Sequence, residues 1–144
     1  MRNLSENRRA KFDYEILDSY EAGIELIGQE VKSVKNGRLN LAGGYGILRN
    51  GEAWLLNSEV PAYQPKNAPA DYDPKRSRRL LLRREEIKKL IGKLHEKSLR
   101  LVPLNAHLKK NLIKIELGLC RSRKKADKRE LLKKRAAERE MRRI

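Results

Sequence analysis

The stretch YGILRNGEAWLLNS, Tyr45 to Ser58, decides the fold. Two apolar alternating runs flank Asn50-Gly51, and an Asn-Gly pair supplies the positive φ values that a tight hairpin turn demands. The stretch predicts antiparallel strands over Tyr45–Arg49 and Glu52–Ser58. A second antiparallel pair is predicted over Leu99–Leu108 and Leu112–Leu119, around Lys109-Lys110-Asn111. In the latter strand Ile113, Ile115, Leu117 and Leu119 face one way and Lys114, Glu116 and Gly118 the other, the pattern of a half-buried strand.

Outward from these hairpins, Met1–Arg9 is polar and basic and reads as an arm. Phe12, Tyr14, Ile16 and Asp18 mark an imperfect period of two over Lys11–Tyr20, which predicts a strand. Glu21-Ala22-Gly23 reads as a turn or bulge, and Ile24–Ile27 as a second short strand. Val31 and Val34 place a short helix over Gln29–Gly37, with Glu30, Lys32 and Lys35 outside and a stop at Asn36-Gly37. Pro61–Ser77 carries four of the five prolines and no apolar period, so it reads as a long irregular loop. Arg78–Arg83 is a short apolar run in a basic frame. Ile87, Leu90, Ile91 and Leu94 then share one face of an amphipathic helix over Glu85–Leu94. The pattern is about six short strands with one longer and one short helix, and no βαβ alternation that would favour a parallel sheet. The expected fold is mostly β: a small OB-like closed antiparallel barrel, since closure removes edge strands. It occupies residues 1–120, and residues 121–144 form a basic C-terminal tail.

The 144-residue chain sets 35 Lys and Arg against 19 Asp and Glu, a net charge of +16. Half of that excess lies in Arg121–Ile144, where twelve cations meet four anions and there is no Gly, Pro or aromatic residue. Such a surface attracts polyanions. Nucleic acid leads as the partner class, ahead of an anionic membrane surface and an acidic protein. The tail is helix-forming in composition, but Leu131, Leu132, Ala136, Ala137 and Met141 are too sparse an apolar face to fold on the body. It is expected to be disordered alone and helical against a polyanion. Cys120, the one cysteine, ends an apolar alternation and reads as a small buried hydrophobe. No apolar run approaches the roughly 18 residues of a membrane helix, and Met1–Phe12 lacks a signal-peptide core. A cytoplasmic protein without a membrane partner is expected.

Catalytic chemistry finds little support. His95 and His107 have no zinc-ligand spacing around them, and phosphate-loop, dinucleotide and nucleophile-elbow motifs are missing. Asp71 and Asp73 read as solvated loop acids. The chain is expected to be a binding protein, with no catalytic residue, metal or cofactor. Asn7-Arg8-Arg9-Ala10-Lys11 and the acid-free run holding Arg76, Arg78, Arg79, Arg83 and Arg84 read as RNA contacts, through bidentate guanidinium–phosphate bonds. Aromatics are too few for a broad stacking platform.

Specific residues then add up. Asn7-Arg8-Arg9-Ala10, Tyr20-Glu21-Ala22-Gly23, Gly28-Gln29-Glu30-Val31-Lys32-Ser33 and Asn40-Leu41 occur in order. Asp73-Pro74, Arg78-Arg79-Leu80-Leu81-Leu82, Val102-Pro103-Leu104, Glu116-Leu117-Gly118-Leu119 and Lys124-Lys125-Ala126-Asp127-Lys128-Arg129 follow. Together they resemble the SsrA-binding protein (small protein B) family, the partner of transfer-messenger RNA in bacterial trans-translation, from about Asn7 to the end of the tail. The resemblance implies an OB-like barrel that binds the tRNA-like domain of that RNA as a monomer in a 1:1 complex. Asn7, Arg8, Arg9, Glu21, Glu30, Lys32, Ser33, Arg38, Arg78, Arg79, Leu81 and Leu82 would form or support the RNA face. The tail would enter the vacant mRNA channel of a stalled ribosome. There Lys124, Lys125, Asp127, Lys128 and Arg129 would lie near the small-subunit decoding centre, with Lys133, Lys134, Arg135 and Arg139 further along.

Three positions depart from the family pattern. Ala126 stands where an aromatic is usual, Gly43-Gly44 replaces an Asp-Ser type pair, and Ser77 replaces a common Pro. Charge alone also fits a structural ribosomal protein or a general OB-fold RNA-binding protein. A nuclease would need a carboxylate cluster assembled from distant segments.

Overall fold

The computed structural model describes residues 2–96 and 98–143. Met1 of the expected arm and Ile144 of the expected tail lie outside the described residues. In chain order the elements are β1 (Arg2–Glu6), α1 (Arg8–Asp13), β2 (Tyr14–Ile24), α2 (Gly28–Lys35), β3 (Tyr45–Arg49) and β4 (Glu52–Leu56). After a long loop come β5 (Arg78–Leu81), α3 (Arg84–Leu94), β6 (Leu99–Lys109), β7 (Leu112–Ser122) and α4 (Lys125–Arg143).

All strand pairings are antiparallel, and they close a ring: β6 to β3, β4, β5, β2, β7 and back to β6. The β3–β6 seam is a single pair, Gly46 opposite Leu101. β1 adds to β6 further along, with Asn3 opposite His107. This is the expected closed β architecture. The Asn50-Gly51 hairpin is in place, with Ile47 opposite Trp54 and the two turn residues at φ 52° and 74°. The β6–β7 turn is tighter than expected: Lys110 and Asn111 alone form it, at φ 50° and 64°, and Lys109 pairs with Leu112.

The ring fills with Leu55, Leu80, Leu101, Ile115, Leu117 and Leu119, sealed by Leu90 of α3 and Val34 of α2. Ala22 and Ala106 both pair with Ile115 and all three are buried. Strand alternation therefore turns Glu21, Glu116, Asn105 and His107 to the outer face. A second, smaller cluster lies where Ala10 of α1 covers Val102, Leu104 and Cys120. Cys120 is the expected buried hydrophobe, and burial pushes its thiol up to about 11.

Several expectations are corrected. The arm is a strand, because Ser5 and Glu6 pair with Ala106 and Asn105 on β6. Lys11–Asp13 belongs to a helix, begun where Asn7 Oδ1 accepts from the Ala10 N–H at 3.3 Å. Glu21-Ala22-Gly23 is neither turn nor bulge, and Ile24–Ile27 is no separate strand; β2 runs through to Ile24. The register does shift in β2, but between Ile16 and Asp18. Gly23 marks a close crossing: a Cβ there would lie 3.3 Å from Leu81 Cβ, where β2 pairs with both β5 and β7. Among the described residues there are seven strands, where about six are expected. β7 runs to Ser122, and α4 follows over Lys125–Arg143.

Candidate nucleic-acid interface

Periodicity places Glu30 on the outside of α2; in the structure it is fully buried. At the third position of the helix its Oε1 accepts from the Ile27 N–H at 3.0 Å, capping the first turn. Its other partners come from the proline-rich loop and β5. Arg78 Nε and Nη2 reach Oε2 at 3.0 and 2.6 Å, and Arg76 binds both carboxylate oxygens. The Tyr72 hydroxyl lies 3.1 Å from Oε2. Arg78 also donates to the carbonyls of Ser58, Pro74 and Arg76, and Ser33 Oγ to that of Pro61 at 2.6 Å. Burial opposes ionisation of Glu30, but the two guanidiniums and the Ile27 N–H outweigh it and hold the carboxyl below its ordinary range. This buried group ties α2 to the loop and to β5.

Three of the residues expected to form or support the RNA face, Glu30, Ser33 and Arg78, have no exposed surface. Arg76 and Arg78, read as free cations, neutralise Glu30. Asn7 is also buried, and its amide donates to the carbonyls of Pro103 at 2.9 Å and Leu41 at 3.3 Å. It joins α1, β6 and the loop before β3.

Arg8, Arg9, Lys32 and Arg38 are exposed, as are Arg83 and Arg84. Lys32 sits 5.8 Å from the centroid of the Tyr63 ring. Arg79 is half-buried between Glu25 and Glu52, at 3.6 and 3.5 Å. Leu81 is exposed and Leu82 half-buried. Asp73, read as a solvated acid, accepts from the Lys75 N–H and shapes a turn. Among the described residues no acidic, His or Cys cluster could hold a metal.

Glu21 heads a polar row across β2, β7 and β6, where Glu21 is opposite Glu116 and Glu116 opposite Asn105. His107 Nε2 lies 3.1 Å from Glu21 Oε2, and Lys109 Nζ 3.2 Å from Oε1. Asn105 donates to Glu116, which turns its carbonyl oxygen to His107 Nδ1 at 2.8 Å. Hydrogen bonds from His107 and Lys109 lower the Glu21 carboxyl from its ordinary value. Periodicity could have assigned these residues to one face; nothing local in the sequence pointed to the network.

The tail leaves the barrel beside α1. Arg123 N donates to the Asp13 carbonyl at 2.9 Å. Asp127 Oδ2 accepts from the Lys124 N–H at 3.2 Å, so the lone acid of that motif starts α4. Lys128 reaches Asp13 at 3.3 Å, and Lys128 and Arg135 both lie over the Phe12 ring. Lys124, Lys125, Arg129, Lys133, Lys134, Arg135 and Arg139 are exposed, and no described residue of α4 is buried. The anchors Phe12 and Asp13 belong to α1, where the alternation of Phe12 with Tyr14 predicts a strand. Among the described residues, no helix is long and apolar enough to cross a membrane.

Residues 4–144 match the family model described as SmpB protein. The chain is 51% identical over 140 residues to the SsrA-binding protein of Gloeothece citriformis (strain PCC 7424), covering 97% of this chain and 90% of that one. It is 50% identical over 140 residues to the SsrA-binding protein of Thermosynechococcus vestitus (strain NIES-2133 / IAM M-273 / BP-1), covering 97% and 92%. A solved structure described as "tmRNA-SmpB: a journey to the center of the bacterial ribosome" superposes with a TM-score of 0.69 at 41% identity, covering 88% of this chain and 92% of that chain.

Proposed function

The chain belongs to the SmpB protein family, and on that premise we propose that it binds the tRNA-like domain of transfer-messenger RNA and delivers it to stalled ribosomes for trans-translation. The observation that carries this reading is the match across barrel and tail together, at half identity to proteins whose name states the RNA they bind. The geometry supports a division of labour. Arg8, Arg9, Lys32, Arg38, Arg79 and Leu81 are the RNA-facing side chains, while Asn7, Glu30, Ser33 and Arg78 fix the segments that carry them. Glu21 and Leu82 brace the same surface. The protein acts as a cytoplasmic adaptor rather than an enzyme, as a monomer in a 1:1 complex with the RNA.

The tail carries the second task. Its cations, Lys124, Lys125, Lys128, Arg129, Lys133, Lys134, Arg135 and Arg139, all exposed but the half-buried Lys128, suit a channel walled by ribosomal RNA. Asp127 fixes where the helix starts. The tail enters the empty mRNA channel of the small subunit, near the decoding centre, and the channel holds it helical. Ala126 offers no ring for stacking there, so positioning falls to Asp127 and its neighbours.

The test is affinity for the tRNA-like domain against an unrelated hairpin of equal length, over a salt series. Tight, salt-dependent binding to the first and weak binding to the second is expected; equal affinities would refute the reading. A chain ending at Lys124 keeps β7 and the Arg123–Asp13 bond. It should bind the RNA as the full chain does and fail to support peptide tagging on stalled ribosomes.

A further inference from the structure

Two hollows beside the β3–β6 seam share a wall made by Tyr45 and Arg100. One, of about 310 Å³, is bordered by Arg9 and Tyr14 and by the Gly43-Gly44 turn. The other, of about 370 Å³, is mainly apolar and backed by Ile91 and Leu94 of α3. We propose that they form a nucleotide pocket that takes an unstacked nucleotide of single-stranded RNA, with its base against Tyr45 and its phosphate between Arg9 and Arg100. The proposal deepens the RNA-binding reading above and rests on it.

The chemistry of the wall carries the assignment. Gly46 packs on Leu101 inside the ring, so the preceding residue, Tyr45, turns outward with 43% of its surface exposed. Leu101 is buried, and its neighbour Arg100 is exposed on the same outer side. Arg100 pairs with no carboxylate among the described residues. Among the described residues Arg9 pairs only with Asp13, at 3.3 Å; Asp13 borders the same hollow and also takes Lys128. Such a pair is weak, so a phosphate can take the guanidinium over.

The floor is built open. Gly44 N donates to the Leu41 carbonyl at 2.9 Å in a turn where Gly43 takes φ +77°. A Cβ on Gly44 would come within 3.0 Å of the Leu41 oxygen. Gly43-Gly44 therefore lines the hollow with bare backbone. Each hollow lies in the size range of small-ligand sites. Paired guanidiniums suit a phosphate, and an exposed ring suits any base face.

The experiment measures binding of fluorescein-labelled hexauridylate and hexaadenylate to the full chain by anisotropy at one fixed salt concentration. Tyr45→Leu and Arg100→Gln are compared with Lys110→Gln, a matched charge loss in the exposed β6–β7 turn. Tyr45→Leu should weaken hexamer binding by about tenfold, as loss of one stacked base does, and Arg100→Gln by about as much, as loss of a charge-assisted hydrogen bond does, both with unchanged melting. Lys110→Gln should change it less than about twofold, since it removes only one screened charge. Equal losses in all three, or none in the pocket variants, overturn the pocket. Binding of the wild-type chain to the tRNA-like domain is measured alongside. Its failure there, with the hexamer pattern intact, would refute the transfer-messenger RNA reading and leave the pocket standing.

Discussion

Two nitrogens of Arg78, Nε and Nη2, converge on one oxygen of Glu30, Oε2, at 3.0 and 2.6 Å, and both side chains are fully buried. Removing Glu30 strands the buried charge of Arg78, and removing Arg78 leaves the buried carboxylate to Arg76 alone. Glu30→Gln and Arg78→Met should each cost about 3–5 kcal/mol. The double variant should cost clearly less than the sum of the two, because the stranded charge is then gone. Urea unfolding of the four proteins measures this; strictly additive costs would show that the pair does not act as a unit.

The same carboxylate sets an acid limit. Burial works against its charge, but the hydrogen bonds from Arg76 and Arg78 prevail, and its folded-state pKa lies below the ordinary value. Stability from a depressed carboxyl is full above the unfolded pKa of about 4.3 and is lost as pH falls through the lower folded value. The wild-type urea midpoint should therefore drop as pH is taken downward from about 4.3, whereas Glu30→Gln should show a flatter acid limb. Parallel curves for the two proteins would place the acid sensitivity elsewhere.

How far the sequence could be read follows from the range of each interaction. Asn50-Gly51 and the Ile113-to-Leu119 alternation are local signals, and the hairpins stand where they point. α1 was hidden because it is a six-residue helix whose Phe12 alternates with Tyr14 as in a strand. Arg76 and Arg78 read as free because their acid lies 46 and 48 residues upstream. One sign was present: Glu30, Ser33 and Val34 stand at i, i+3 and i+4, so they share a helix face, and that face is the buried one. The pairing of Val31 with Val34 drew attention to the wrong stripe. The exposed cations, in contrast, were legible from charge alone.

Phe12 offers a handle on the tail. Lys128 Nζ and the Arg135 guanidinium lie 5.6 and 5.9 Å from its ring centroid, one above the other along α4. Each cation–π contact at such a site contributes about 0.5–1 kcal/mol. Phe12→Leu keeps the apolar volume and removes the ring electrons. Trypsin should then cut within α4 several-fold faster, by the reopening that such energies imply, while the barrel melts as before. An unchanged cleavage rate would mean that Asp13 and Arg123 alone hold the tail.

Glu21 stands directly opposite Glu116 in the β2–β7 ladder, where like charges oppose pairing. His107 relieves this on one side. Each of its ring nitrogens faces an oxygen acceptor, Glu21 Oε2 at 3.1 Å and Asn105 Oδ1 at 2.8 Å. The Glu21 carboxyl is lowered first by the His107 hydrogen bond and then by that of Lys109. His107→Phe keeps a ring in the nearly buried site and removes both nitrogens. Glu21 then loses its strongest donor and meets Glu116 less screened, so its pKa must rise. The side-chain carboxyl of Glu21, followed by carbon-13 NMR titration, should move upward in His107→Phe and less so in Lys109→Gln. An unmoved titration in His107→Phe would show that Lys109 alone sets the charge of Glu21.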